Sequence, residues 1–237
     1  MSDGDGTIPV PAGQGMEYDV DIVLCIDATQ SMAPVIEEVK SKALQLPVDL
    51  QRAMDEKGKD VTRLRLKIIA FRDIFVDPVP FQVSEFFAMP EQRGAFEAFM
   101  STVTASGGGD EPESGLEALG LAINSDWCNT AVKSRHLVVM WTDASAHPIE
   151  KGVGHVPAEF AGSVPTSTDE LYNLWAGDQR SKMSPTARRL LLLAPGSSPW
   201  PDLEEDLGQV IHFPSKAGGG LADFEYEEIL DLLVQSV

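Results

Sequence analysis

The chain has few basic residues and few cysteines, and it has no apolar run long enough to cross a membrane. Its 18 Lys and Arg stand against 37 Asp and Glu, which gives a formal net charge of −19 at pH 7. Because such a charge repels phosphate backbones and anionic lipid surfaces, we expect neither a nucleic-acid partner nor a membrane partner. The simplest role of the charge is solubility, and a second role is to gather carboxylates at metal sites.

Two cysteines, Cys25 and Cys128, are too few for a disulfide framework. Cys25 lies in an apolar run, where a free thiol behaves as a small hydrophobic side chain, so a reducing compartment is the simpler expectation. The acidic, Gly- and Pro-rich residues 1–16 have neither the basic region nor the apolar region of a signal peptide. We therefore predict a cytoplasmic protein with a flexible tail at residues 1–16 and a single domain over residues 17–237.

Two kinds of apolar pattern alternate along the chain. Short runs rich in β-branched or other apolar residues indicate buried strands, and apolar residues spaced three or four apart indicate helices. The first helix begins near Ile36, with a kink or a break expected at Pro47. The alternation predicts an α/β fold with a doubly wound, mostly parallel central sheet and helices on both faces. The predicted strands are 20–26, 63–71, 78–83 (an edge strand), 136–141, 190–194 and 210–213, the later helices are 90–100, 116–123, 171–180, 201–207 and 226–233, and 145–167 is a long loop.

Three oxygen-bearing side chains follow the first predicted strand at alternate positions, in the sequence DATQS. They are Asp27, Thr29 and Ser31. Because alternate side chains of an extended segment leave on the same side, one carboxylate and two hydroxyls can converge there. Hard oxygen ligands of this kind suit a small divalent cation such as Mg²⁺.

Acidic residues also lie next to three later elements. AFRD places Asp73 at the end of the second strand, TDASAH places Asp143 after the strand at 136–141, and the loop SGGGDEPE at 106–113 precedes a helix. In open sheets of this type, ligands bind beyond the carboxyl ends of the strands. We therefore expect the four loops to meet at one edge of the sheet.

The four motifs in this order resemble the metal-ion-dependent adhesion site (MIDAS) of von Willebrand factor A (vWA) domains. The motifs resemble the I-like domains of integrin β-subunits more than an ordinary vWA domain, and they also resemble stand-alone vWA proteins of prokaryotes. The resemblance runs from about residue 18 to residue 147. In the integrin pattern, the cation is held by a DxSxS loop, by the Glu of a DxPE loop and by the Asp of a TDAxxH-type loop. The resemblance implies Mg²⁺ or Mn²⁺ here, with the ligands Asp27, Thr29, Ser31, Glu113 and Asp143.

The integrin pattern includes a second, supporting cation next to the first, and the resemblance implies a second site here, with Ca²⁺ as the expected ion. The family has an Asn two residues before the Asp of DxPE, where this chain has Gly108, so we expect water to take part. A third integrin cation is not expected, because Pro34 and Val35 stand where the family has an acidic pair. The implied ligands of the second site are Asp73, Asp110, the Pro112 carbonyl and Glu113, which is shared with the first site.

The two sites together hold five carboxylates, which would repel one another and raise one another's pKa values. One divalent cation leaves them a net charge of −3 and two leave −1. Room for a sixth carboxylate, supplied by a partner, exists only in the second case. A partner carboxylate is the ligand that the family resemblance implies.

Each motif also has a purely structural interpretation. The DATQS loop could cap a helix, and the DEPE loop could be a turn with acids favoured by the helix dipole. Asp143 could start a loop, and Asp73 could form a surface ion pair with Arg72. The sequence leaves these alternatives open.

The leading hypothesis is a non-enzymatic, metal-dependent module of a bacterial cell that binds an Asp or Glu of a protein partner. The sequence offers no evident pair of nucleophile and base. A second hypothesis is a Mg²⁺-dependent hydrolase or phosphotransferase using the same carboxylates, for which Arg72 is the one candidate to stabilise phosphoryl charge. A third is a regulatory subunit of a kinase or ATPase complex. The oligomeric state and the identity of the partner cannot be read from the sequence.

Overall fold

The computed structural model describes residues 16–109, 111–129, 133–215 and 226–236. Within these residues the strands form one seven-stranded sheet in the order β3-β2-β1-β5-β6-β7, with β4 also paired to β2. The strands β1, β2, β5, β6 and β7 run parallel, and β3 and β4 are short antiparallel edge strands. The strands are β1 (Met16–Asp27), β2 (Lys59–Phe71), β3 (Phe81–Val83), β4 (Phe87–Met89), β5 (Ser134–Trp141), β6 (Arg188–Pro195) and β7 (Val210–Ser215).

Helices cover both faces of this sheet, which confirms the predicted α/β class. One core contains the apolar sides of α1, α2 and α7, and the other contains those of α3, α5 and α6. Strand β1 supplies both cores, because Ile22 and Leu24 face the first and Val23 and Cys25 face the second. The helices are α1 (Ile36–Glu56), α2 (Arg93–Thr102), α3 (Gly115–Ile123), α4 (Ile149–Gly152), α5 (Thr168–Ala176), α6 (Trp200–Asp206) and α7 (Tyr226–Ser236).

Helix α1 continues through Pro47, so a break does not occur there. Proline removes one helical hydrogen bond, but Val39, Ala43, Leu46 and Leu50 are buried on the face of α1 that packs against the sheet. Packing of an apolar face stabilises a helix in a protein more than local propensity does. Burial of this apolar face therefore stabilises α1 by more than the hydrogen bond lost at Pro47 destabilises it.

Other differences from the predictions concern short elements and boundaries. Strand β4 was not predicted, because three residues are too few to show a periodic pattern. The predicted loop at 145–167 contains the single helical turn α4. Residues 1–15 lie outside the described residues, and Met16, the last residue of the predicted tail, begins β1. In the part of the chain that the structure describes, no helix is both long enough and apolar enough to span a bilayer.

The order of the strands creates a crevice at one edge of the sheet. Strand β1 lies between β2 and β5, so the chain leaves β1 in one direction and later returns on its other side. Ligands of doubly wound sheets bind at such a reversal, beyond the carboxyl ends of the strands. Asp27 ends β1, and Asp143 follows β5 by two residues. The topology thus places these two carboxylates on either side of the crevice.

Candidate metal centre

Asp27 is the buried centre of a hydrogen-bonded network at this crevice. Its Oδ1 accepts hydrogen bonds from the backbone N–H of Thr29, at 2.9 Å, and from the Thr29 hydroxyl, at 2.6 Å. Its Oδ2 accepts a hydrogen bond from the Thr142 hydroxyl, at 2.7 Å. Both carboxylate oxygens are therefore held in place by the loops that follow β1 and β5.

The network continues from Thr29 to the other predicted ligands. The Thr29 and Ser31 hydroxyl oxygens are 3.0 Å apart, and the Ser31 hydroxyl donates to Asp143 Oδ1 at 2.9 Å. Neither Thr29, which precedes a short 3-10 turn, nor Val35, which precedes α1, caps a helix with its side chain. The hydroxyls of the DATQS loop thus connect two carboxylates, and the structure does not support the helix-cap interpretation.

Glu113 is brought to the same place by two backbone hydrogen bonds to the loop after β5. Its N–H donates to Ser145 O and its carbonyl accepts from His147 N, both at 2.9 Å. A Cβ atom added to Gly108, whose φ is +73°, would lie 2.9 Å from both Glu113 Oε1 and Thr29 Cβ. Gly108 therefore lets the Glu113 carboxylate approach the DATQS loop closely.

Burial and mutual repulsion raise the pKa values of these carboxyl groups. Burial raises the pKa of Asp27 to about 6, despite the hydrogen bonds that favour its charged form. Burial, with smaller contributions from the charges of Asp27, Asp73, Asp77 and Asp143, raises the pKa of Glu113 to about 8. Burial also raises the pKa of Asp143. A divalent cation at this edge would favour the charged form of every one of these groups.

Arg72 connects the loop after β1 to the segment at residues 104–106. Its Nε donates to the carbonyl oxygens of Ala28, at 3.1 Å, and Ser106, at 2.8 Å, and a terminal nitrogen donates to Thr104 O, at 2.8 Å. The side chain is buried. Among the ion pairs of the described residues, none joins Arg72 to Asp73. The guanidinium therefore serves as a clamp between backbone segments, and the surface ion pair considered from the sequence is not formed.

The second predicted site is described in part. Asp73 is buried, lies 3.6 Å from His147 Nε2 through its Oδ1, and contributes its charge to the raised pKa of Glu113. Asp110 lies outside the described residues. Pro112 is half-buried and immediately precedes Glu113. Of the predicted ligands, Asp73 and Glu113 are thus placed within electrostatic reach of each other.

Two acidic residues at this edge were not predicted from the sequence. Asp77 Oδ2 accepts hydrogen bonds from Gly108 N, at 2.9 Å, and Asp73 N, at 3.2 Å. Glu117 is fully buried on α3, neither of its carboxylate oxygens has a hydrogen-bond partner among the described residues, and burial raises its pKa to about 7. Its signal in the sequence is a single charge in an otherwise apolar helix, four residues after Glu113.

The residues at this edge fit a hard divalent cation. Glu113 Oε2 is buried without a hydrogen-bond partner among the described residues, which is costly unless a ligand satisfies this oxygen. The neighbouring donors are carboxylate and hydroxyl oxygens, the ligands that Mg²⁺ and Mn²⁺ prefer. No three His, Cys, Asp or Glu side chains within the described ranges are already grouped closely enough to hold an ion. The hydroxyls of Thr29 and Ser31 would therefore have to complete the ligand set.

Comparisons with known proteins agree on the fold. The sequence pattern of the von Willebrand factor A domain matches residues 21–153. A von Willebrand factor type A protein from Catenulispora acidiphila aligns with a TM-score of 0.51 and 12% identity, over 93% of this chain and 43% of that structure. The pilus adhesin SpaC from Lactobacillus rhamnosus GG, in its open conformation, aligns with a TM-score of 0.50 and 11% identity, over 92% of this chain and 30% of SpaC.

A third similar structure is proximal thread matrix protein 1 from the mussel byssus, with a TM-score of 0.50, 12% identity, and coverage of 93% of this chain and 46% of that protein. This chain spans less than half the length of each of the three structures. At these identities the similarity concerns the fold alone. No curated protein sequence matches the chain significantly.

Proposed function

Because the chain belongs to the von Willebrand factor A domain family, we propose that it binds an Asp or Glu side chain of a protein partner through a divalent cation at a MIDAS-type site. Family membership supports a protein-interaction role in general. That this interaction uses a cation and an acidic ligand is our extension of the general role. The proposed ligands are Asp27, Thr29, Ser31, Glu113 and Asp143, with Mg²⁺ or Mn²⁺ as the ion.

One observation carries this proposal. The hydrogen bonds from Thr142 through Asp27, Thr29 and Ser31 to Asp143 form one continuous chain across the crevice, with distances of 2.6 to 3.0 Å. Glu113 approaches this chain of oxygens from the third loop. A bound cation would replace repulsion among these groups with attraction and would offer an open coordination position to a partner's carboxylate.

We also propose the second cation, Ca²⁺, next to the first. Its ligands would be Asp73, Asp110, the Pro112 carbonyl and the shared Glu113, with Asp77 close enough to Glu113 for its charge to be felt there. The second cation would lower the negative charge against which an incoming carboxylate must bind. The partner's affinity should therefore depend on both ions.

Isothermal titration calorimetry with MgCl₂, MnCl₂ and CaCl₂ tests whether the chain binds these ions. We expect saturable uptake by the wild type and none at the first site in Asp27→Ala. The matched control is Asp60→Ala, which removes an exposed Asp at the other end of the sheet, at the start of β2. Uptake that is the same in Asp27→Ala and the wild type would contradict the proposal.

Partner binding is tested separately, with and without EDTA. Capture of a protein partner in Mg²⁺ buffer should be lost on chelation and in Asp27→Ala, and retained in Asp60→Ala. Capture that survives both chelation and Asp27→Ala would show that the partner does not use the cation.

The structure gives less support to a hydrolase or phosphotransferase. The guanidinium of Arg72, the candidate for stabilising phosphoryl charge, is buried and hydrogen-bonded to four backbone carbonyls. We therefore propose a non-catalytic role. A regulatory subunit of a kinase or ATPase complex would use the same surface and differs from our proposal in the partner alone.

We propose the cytoplasm of a bacterium as the location. No disulfide bond joins Cys25, which is buried, to Cys128, which is half-buried, among the described residues. Cell fractionation with an antibody to the chain tests this proposal. Recovery of the protein outside the cytoplasm would contradict it.

A further inference from the structure

Exposed apolar side chains are concentrated next to the candidate metal centre. Among the described residues, the large hydrophobic side chains exposed to solvent are Val48 and four others. Three of these four residues belong to the loop between β2 and β3, and the fourth follows α4. Helix α4 lies close to that loop, since a Cβ atom added to Gly152 would lie 2.6 Å from Ile74 Cδ1. We call this group the apolar rim, and it consists of Phe75, Val76, Val79 and Val153.

The loop that carries most of the rim is held in a defined conformation. Phe75 N donates to Asp73 Oδ1 at 2.8 Å, and Ile74 N donates to Ser114 Oγ at 2.9 Å. Asp77 turns inward and accepts from Gly108 N. In this loop Asp73 is buried and Asp77 is hydrogen-bonded to a neighbouring loop, whereas Phe75, Val76 and Val79 are exposed. Exposed apolar side chains gathered on one loop favour an interaction site there.

Two successive glycines separate the rim from the metal centre. A Cβ at Gly109 would lie 3.3 Å from Val76 Cγ2 and 3.6 Å from Asp73 Oδ2. A Cβ at Gly108 would lie 2.9 Å from Glu113 Oε1. The side chains of Val76 and Glu113 therefore approach two adjacent residues that have no side chains, so the rim and the metal centre are close enough for one short peptide to span both.

We propose that the apolar rim and the metal centre form one binding surface, and that its occupant is a protein segment with a large apolar side chain beside its Asp or Glu. This inference rests on the proposed metal-dependent function. The charge of the chain argues for such a segment, because a net charge of −19 would repel a partner with several acids. A single carboxylate with an apolar neighbour gains contact area at the rim without adding repulsion.

A displayed library of seven-residue peptides with a central Asp tests the inference, selected on the wild type in Mg²⁺ buffer. We expect Leu, Ile, Val or Phe to be enriched next to the Asp. The most enriched peptide should bind Val76→Ser and Val79→Ser about tenfold more weakly, a loss equivalent to about 1.4 kcal/mol. The matched control is Val48→Ser on α1, because Val48 is 44% exposed, compared with 59% for Val76 and 58% for Val79. That variant should bind as the wild type does.

The outcomes separate this inference from the function on which it rests. Peptides that bind through the Asp in a Mg²⁺-dependent way, with no apolar preference and no effect of the rim variants, would overturn the apolar rim alone. Binding that is unaffected by EDTA and by Asp27→Ala, or the absence of any binding, would overturn the metal-dependent function and the inference with it. Circular dichroism of the three serine variants checks that each is folded.

Discussion

Two aspartates of the same strand, Asp21 and Asp27, are buried in different ways. Their exposed fractions are 1% and 0%. Asp21 accepts two hydrogen bonds from the Arg65 guanidinium, at 2.7 and 2.5 Å, and a third from Cys128 N, at 2.7 Å. Asp27 accepts hydrogen bonds from threonine groups alone and has no cationic partner among the described residues. The buried charge of Asp21, in the middle of β1, is therefore neutralised, and that of Asp27, at the carboxyl end of β1, is not.

The contrast extends to the neighbouring residues. At the amino end of the sheet, Asp19 pairs with Arg63 and Asp21 with Arg65. At the carboxyl end, burial raises the pKa values of Asp27, Glu113 and Asp143. An unpaired buried charge costs several kcal/mol, and perturbed carboxylates gathered in a cleft indicate a functional site. The difference supports our proposal that a cation binds at the carboxyl end.

Breaking the ion pair between Asp21 and Arg65 should have the largest effect on stability. Arg65→Met leaves Asp21 buried without its counter-ion and should lower the free energy of unfolding by about 3–5 kcal/mol. Urea denaturation measures the loss. The double variant Asp21→Leu/Arg65→Met should recover most of it, since it removes both charges. A loss below about 1 kcal/mol in the single variant would show that the pair does not neutralise Asp21 in the way we describe.

Binding of a divalent cation at the carboxyl end of the sheet should stabilise the protein. Mn²⁺ at about 100 times its Kd should raise the free energy of unfolding by about 2.7 kcal/mol. The variant Glu113→Gln should lose this gain, and at pH 8 its metal-free form should be at least as stable as the wild type, because a repelled carboxylate has been removed. Thermal unfolding with and without MnCl₂ checks both statements. An equal Mn²⁺ effect in wild type and variant would exclude Glu113 as a ligand.

Local sequence patterns predicted the sheet and part of the candidate site. The apolar β1 and the alternation of strands and helices predicted the sheet, and strand order placed the loops after β1 and β5 together. Asp27, Thr29, Ser31 and Asp143 were predicted on local motifs, and the structure connects them by hydrogen bonds. Metal binding by these residues stays a prediction.

Other features depend on tertiary contacts that no local pattern records. Asp77 turns inward because Gly108 offers it an N–H from a distant loop. Arg72 looked like a partner for Asp73 or for phosphate, yet four backbone carbonyls from three segments surround it. Glu117 could have been noticed as a lone acid in an apolar helix, but its burial depends on how α3 packs.

The pH dependence of stability should differ between the metal-free and metal-bound protein. The folded-state pKa values of Glu113 and Glu117, about 8 and about 7, lie above their ordinary values. The folded state therefore binds more protons than the unfolded state, and metal-free stability should fall by about 3–4 kcal/mol as the pH rises from about 6 to about 8. Urea titrations across this range measure the slope. With saturating Mn²⁺ the fall should be smaller, because protons compete with the cation, and a metal-free stability that rises with pH would contradict the assignment.

The smallest effect is expected at Glu117, which is buried on α3 without a hydrogen-bond partner in the described part of the chain. Glu117→Met removes this charge with little change in volume and should raise the free energy of unfolding by about 1 kcal/mol at pH 8. Chemical denaturation at pH 8 and pH 5.5 measures the gain, which should be smaller at the lower pH because the wild-type carboxyl is then protonated. A destabilised variant at pH 8 would indicate that Glu117 has a partner it needs.

The most direct test is a crystal structure grown with MnCl₂, with anomalous data collected at the manganese edge. The account predicts an anomalous peak beyond the carboxyl end of β1, within coordinating distance of the Ser31 and Glu113 oxygens. A well-ordered crevice with no anomalous peak at millimolar Mn²⁺ would contradict it.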